Sequence, residues 1–122
     1  MIKVLLIEDD EAVRETLALK LSKGDYQVFA VASRDAALPD LEEKPDVILM
    51  DCAMPGLSIE PFLDEIHRRC PTAMVVLMST ANDAGEAVRL GIRHFVAKFF
   101  DFPKLTQTLQ MAYWESCLMK SA

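Results

Sequence analysis

Residues 45–56 read PDVILMDCAMPG. Val47, Ile48, Leu49 and Met50 are apolar without a break, as a strand covered on both faces must be, and the run ends on a single carboxylate, Asp51. The pattern recurs at Val4 to Ile7 and at Met74 to Met78, with Val28 to Val31 and Phe95 to Ala97 as weaker candidates. Amphipathic stretches separate these runs: Glu11 to Ser22, with Val13, Leu17 and Leu21 on one face and Gly24 as a stop; Asp35 to Glu42; Glu60 to Arg69; Ala84 to Leu90; and Lys104 to Leu118. The order is strand then helix, five times over. Strands joined by helical crossovers pair in parallel with right-handed connections, which predicts a doubly wound α/β fold with a five-stranded parallel sheet flanked by five helices.

Composition narrows the function. A chain of 122 residues, 52% of them hydrophobic, can bury a real core and is expected to be one domain, residues 1–122. No apolar run reaches the roughly 18 to 20 residues of a membrane span, and the N-terminus turns acidic too early for a signal peptide. Cys52, Cys70 and Cys117 are odd in number and lack metal-ligand spacing, which predicts reduced thiols in a cytoplasmic protein. A net charge of -6, with Arg68-Arg69 as the one notable basic pair, argues against direct nucleic-acid binding by this domain.

In an open α/β sheet, chemistry belongs at the carboxyl ends of the strands. Glu8, Asp9, Asp10 and Glu11 follow the first run, Asp51 closes the third, Ser79 and Thr80 follow the fourth, and Lys98 follows the fifth. Each has an ordinary explanation. Asp10 and Glu11 suit the N-terminus of the first helix, Asp51 suits a turn, Ser79 and Thr80 suit a cap, and Lys98 suits a solvated edge. It is their combination that carries information.

That combination resembles the response-regulator receiver domains of two-component signalling, chemotaxis regulators among them. KVLLIEDDEAVR, PDVILMDCAMPG, VVLMSTAND and HFVAKFFDFP look like the four signature regions of that family, in the family's order and over nearly the whole chain. The resemblance implies the flavodoxin-like strand order 2-1-3-4-5, which brings Glu8, Asp9 and Asp51 together. It implies Asp51 as phosphoacceptor, and magnesium held by Asp9, Asp51 and the Ala53 backbone carbonyl, with Glu8 acting through water. Hard oxygen ligands suit that ion. It implies Lys98 as the cation on the transferring group, Thr80 as the switch hydroxyl with Ser79 as alternate, and Phe95 as the aromatic switch residue. The implied donor is a sensor histidine kinase or phosphotransfer protein. The implied output is a changed surface on helix four, strand five and helix five, where a homodimer or an output domain would dock. Such a domain is not a turnover enzyme, although it promotes its own phosphorylation and dephosphorylation.

Three departures from the family pattern stand out. Phe99 follows Lys98 where proline is usual, so a trans bond is expected there; the segment from the strand-four hydroxyl to Lys98 is about one helical turn short; and Ser58-Ile59 replaces the usual Asp-Gly. They motivate the alternative of a degenerate receiver serving as a phosphorylation-independent binding module. A phosphatase of the haloacid-dehalogenase type would need a second acid two residues after Asp51, where this chain has Ala53. The last helix carries two apolar stripes, Leu105, Leu109 and Ala112 for the core and Met111, Trp114 and Leu118 beside it. The second stripe is either a wide buried face or an interaction site.

Overall fold

The chain runs β1 (Ile2–Ile7), α1 (Glu11–Ser22), β2 (Tyr26–Val31), α2 (Arg34–Ala37), β3 (Val47–Asp51), α3 (Ile59–Arg69), β4 (Met74–Ser79), α4 (Ala84–Arg89), β5 (His94–Ala97) and α5 (Phe102–Ser121), with a 3-10 turn over Pro39–Glu43. The computed structural model describes residues 1–52, 54, 56–79, 84–97 and 101–121, with backbone alone at 79 and 84. All pairings are parallel and the sheet order is β2-β1-β3-β4-β5, as expected.

Alternation along the central strands builds two cores. In β1, Val4 and Leu6 face a layer formed with Leu17 and Leu21 of α1 and Leu105, Leu109 and Ala112 of α5. Leu5 and Ile7 face the opposite layer, with Phe62 and Ile66 of α3 and Ala87 of α4. β3 divides in the same way, Val47 and Leu49 to the first layer and Ile48 and Met50 to the second, and all four are fully buried. Period-two geometry thus explains why Val4 to Ile7 and Val47 to Met50 carry no polar residue: each side chain meets a helix layer whichever way it points. At about 25 cal/mol per Å² of apolar area, each such leucine contributes roughly 1.5–3 kcal/mol by leaving water.

Local chemistry sets the helix ends. Asp10 caps α1, its Oδ1 accepting from the Val13 N–H at 3.1 Å. Val13 itself is 40% exposed, so Leu17 and Leu21 carry the burial of that face. The helix expected over Asp35 to Glu42 is instead two short pieces. Pro39 has no N–H to donate to the Asp35 carbonyl, so the chain tightens: the Leu38 N–H donates to Asp35 O and the Leu41 N–H to Leu38 O, both at 3.3 Å. Strand β2 begins at Tyr26 and β5 at His94, each slightly earlier than the apolar runs suggest. Among the described residues, helix α4 covers Ala84–Arg89. Among the described residues, no helix is long and apolar enough to cross a membrane.

Candidate functional site

Strand register creates the site. Ile7 of β1 lies opposite Met50 of β3, so the residues that follow, Glu8 and Asp51, emerge side by side at the carboxyl rim. The Glu8 N–H donates to Val31 O at 3.0 Å, carrying the ladder one step past β1, and the Cys52 N–H donates to Met78 O at 2.9 Å, doing the same for β3. Arg14, one turn into α1, donates from Nη1 to the Glu8 carbonyl at 2.9 Å. Backbone that is already tied down therefore presents the carboxylates.

One carboxylate oxygen from each of Glu8, Asp9 and Asp51 lies within 4.8 Å of the others. Glu8 and Asp51 are 1% and 3% exposed, whereas Asp9 faces solvent. Two ionised carboxylates at that separation repel by about 3 kcal/mol at an effective dielectric near 20. An open cluster of hard oxygen donors, with one face to water, fits a divalent cation that keeps part of its hydration shell, as magnesium does. The three acids read from the sequence are thus brought together.

Ala53, Thr80 and Lys98 lie outside the described residues, as does the bond between Lys98 and Phe99. Ser79 closes β4 opposite Ala97 of β5. Phe95 sits in β5 opposite Leu77, 45% exposed. On α5 the core stripe is fully buried at Leu105, Leu109 and Ala112, while Met111, Trp114 and Leu118 are 61%, 71% and 73% exposed. The second stripe is a surface.

Arg34 is the residue that sequence reasoning passed over. It opens α2 just beyond β2 and is 2% exposed. Its Nη1 donates to Leu57 O at 3.0 Å, and its Nη2 donates to Cys52 O at 2.9 Å and Asp51 O at 3.2 Å. Burial pulls its pKa below the ordinary arginine value, against the neighbouring Cys52 and Asp51, which push it up; arginine stays cationic even so. Asp35 adds a second tie, its Oδ2 accepting from the Leu57 N–H at 3.3 Å. The available signal was positional: the end of β2 belongs to the same rim as the other strand ends, and a basic residue there had reason to be examined.

A parallel 2-1-3-4-5 sheet with an acidic cluster around a strand-end aspartate defines an α/β domain whose carboxyl rim has the donors a hard cation would take. The chain belongs to the response regulator receiver domain family, whose pattern matches residues 4–110, and is thus a receiver domain of two-component signalling. It is 39% identical over 103 residues to the response regulator protein FleR of Pseudomonas aeruginosa, covering 81% of this chain and 22% of FleR. It therefore spans much less than the whole of that relative. With the chemotaxis protein CheY of Listeria monocytogenes it shares 26% identity over 117 residues, 92% of this chain and 98% of CheY. Among solved structures, the response regulator protein TrrA of Thermotoga maritima, crystallised in complex with Mg(2+)-BeF, superposes with a TM-score of 0.79 at 22% identity, over 92% of this chain and 99% of that one. At that identity the likeness shows the fold.

Proposed function

We propose that residues 1–122 act as one phosphoacceptor receiver domain in which Asp51 accepts a phosphoryl group with magnesium bound at Glu8, Asp9 and Asp51. The observation that carries this reading is the gathering of those three carboxylates within 4.8 Å at the end of the central strand. Magnesium would supply positive charge to offset the acids and the transferring oxygens, the main source of catalysis in phosphoryl transfer. Asp51 is the nucleophile: a carboxylate oxygen forms a bond to phosphorus as the phosphorus–nitrogen bond of a donor phosphohistidine breaks, and the imidazole leaves with that electron pair. The product is an acyl phosphate on a side chain that is only 3% exposed, which limits attack by bulk water.

In this reading Lys98 neutralises charge on the transferred group. Thr80, with Ser79 as alternate, donates a hydrogen bond to it, and the Ala53 carbonyl serves the ion. Phe95 then moves from its half-exposed position as the surface of α4, β5 and α5 changes, a population shift driven by a local charge change. The donor is a sensor histidine kinase or phosphotransfer protein, and the receiver of the signal is a second copy or an output domain on that surface. A cytoplasmic setting accords with three cysteines that form no disulfide.

The test is labelling by acetyl phosphate, followed by mass spectrometry. The wild type takes one phosphoryl group with magnesium and none in chelator, and Asp51→Asn takes none. An adduct of equal yield on the Asn variant refutes the assignment. A wild type that is folded and binds magnesium but is never labelled favours the phosphorylation-independent binding module.

A further inference from the structure

We propose that Arg34 is a positioning residue for phosphoryl transfer, clamping the segment after Asp51 in the geometry the reaction needs; this rests on the phosphoacceptor reading above. Adjacent strands are about 4.8 Å apart, and β1 lies between β2 and β3. A side chain leaving the end of β2 must therefore cross a whole strand to reach the segment after Asp51, which calls for one of the longest side chains. Arg34 makes that crossing, and its guanidinium donates to carbonyls at both ends of the segment, Asp51 and Cys52 on one side and Leu57 on the other.

The fork geometry matters as much as the reach. A planar guanidinium holds several acceptors in fixed relation, whereas an ammonium is a point charge on a flexible stem. The grip is continued by Asp35, whose carboxylate takes the Leu57 N–H. Gly56 shows how closely the segment is pressed there: it has φ +94°, and a Cβ at that position would come within 2.9 Å of Asp35 Oδ2. Both ends of the segment are thereby tied to α2, the far end at Leu57 and the near end through the carbonyls of Asp51 and Cys52. An arginine that is 2% exposed and spends both Nη groups on backbone carbonyls, with Nε buried and unpartnered, has its site in the protein and not on the surface. It also sets a fixed positive charge near Asp51.

The experiment uses the whole chain with acetyl phosphate and saturating magnesium, well below each variant's melting midpoint. Asp51 labelling is followed in the wild type and in Arg34→Met, Arg34→Lys and Asp35→Ala. Misplacement of reacting groups by about 1 Å can lower a rate about a hundredfold, so folded Arg34→Met is expected to label about ten- to a hundredfold more slowly at saturating donor, with the donor half-saturation little changed. Arg34→Lys should recover part of the loss, and Asp35→Ala should lose less than Arg34→Met. A folded Arg34→Met that labels at the wild-type rate overturns the proposal. If Arg34→Met does not fold, Arg34→Lys decides: a reduced rate supports the clamp, and a wild-type rate overturns it. A wild type that takes no label overturns both this inference and the phosphoacceptor reading, whereas equal labelling of wild type and Arg34→Met overturns this one alone.

Discussion

Without a cation, Asp51→Asn should make the protein more stable. Glu8 and Asp51 are both buried, and their carboxylate oxygens lie within 4.8 Å. At an effective dielectric of about 20, two unit charges at that distance repel by about 3 kcal/mol. The nearby Arg34 guanidinium and the further contacts of Glu8 and Asp51 offset part of this, and Asp9 adds little because water screens it, so a net gain of about 1–3 kcal/mol is expected on removing the Asp51 charge. Unfolding entropy near ~2.1 cal/mol/K per residue makes each 1 kcal/mol worth about 4 °C for a chain of 122 residues. The midpoint in chelator should thus rise by about 4–12 °C, read by circular dichroism, and salt should narrow the gap only slightly because both charges are buried. Magnesium acts in the opposite sense. A cation at about a hundred times its dissociation constant stabilises the wild type by about 2.7 kcal/mol, and the variant, with one ligand weakened, gains less. The difference should shrink or invert. An Asn variant that melts at or below the wild type in chelator, or a gap indifferent to magnesium, would refute the reasoning.

Leu49→Ala, at a fully buried position of the central strand, should cost about 2–5 kcal/mol in urea unfolding with an unchanged m-value, and a loss under about 1 kcal/mol would contradict the packing described. Burial holds the Cys70 thiol above its ordinary value of 9.0, and its Sγ donates to Leu41 O at 3.2 Å. Because the folded state keeps this proton longer, the stability it contributes is present below the ordinary value of 9.0 and is lost as pH rises through the raised folded value. Mass-mapped alkylation near pH 8 should therefore leave Cys70 unmodified until the protein unfolds, and prompt labelling of the native protein would count against it. The stripe of Met111, Trp114 and Leu118 should support self-association: sedimentation should show a concentration-dependent dimer that Trp114→Ala weakens about thirtyfold or more, and a monomer at every concentration, phosphorylated or not, would exclude it.

The strand-helix alternation could be read from composition alone because a strand sandwiched between two helix layers must be apolar at every position, and Val4 to Ile7, Val47 to Met50 and Met74 to Met78 are. The start of α1 was equally legible, since Asp10 caps its own neighbours and needs nothing distant. Strand-end position also singled out Glu8, Asp9 and Asp51, while their proximity followed only once a strand order was assumed from the family resemblance. What the chain's local pattern could not show was anything depending on a neighbour far along the sequence. The break at Pro39 was written in the residues yet lost to an amphipathic count that weighs only polarity. Whether Met111, Trp114 and Leu118 were core or surface depended on how much of α5 the sheet could cover, and the sheet covers one face. Arg34 is the sharpest case. A basic residue after a weak strand looks like solvated charge, and it becomes a clamp only because β1 comes to lie between β2 and β3, placing three backbone carbonyls from residues 51–57 within reach of one guanidinium.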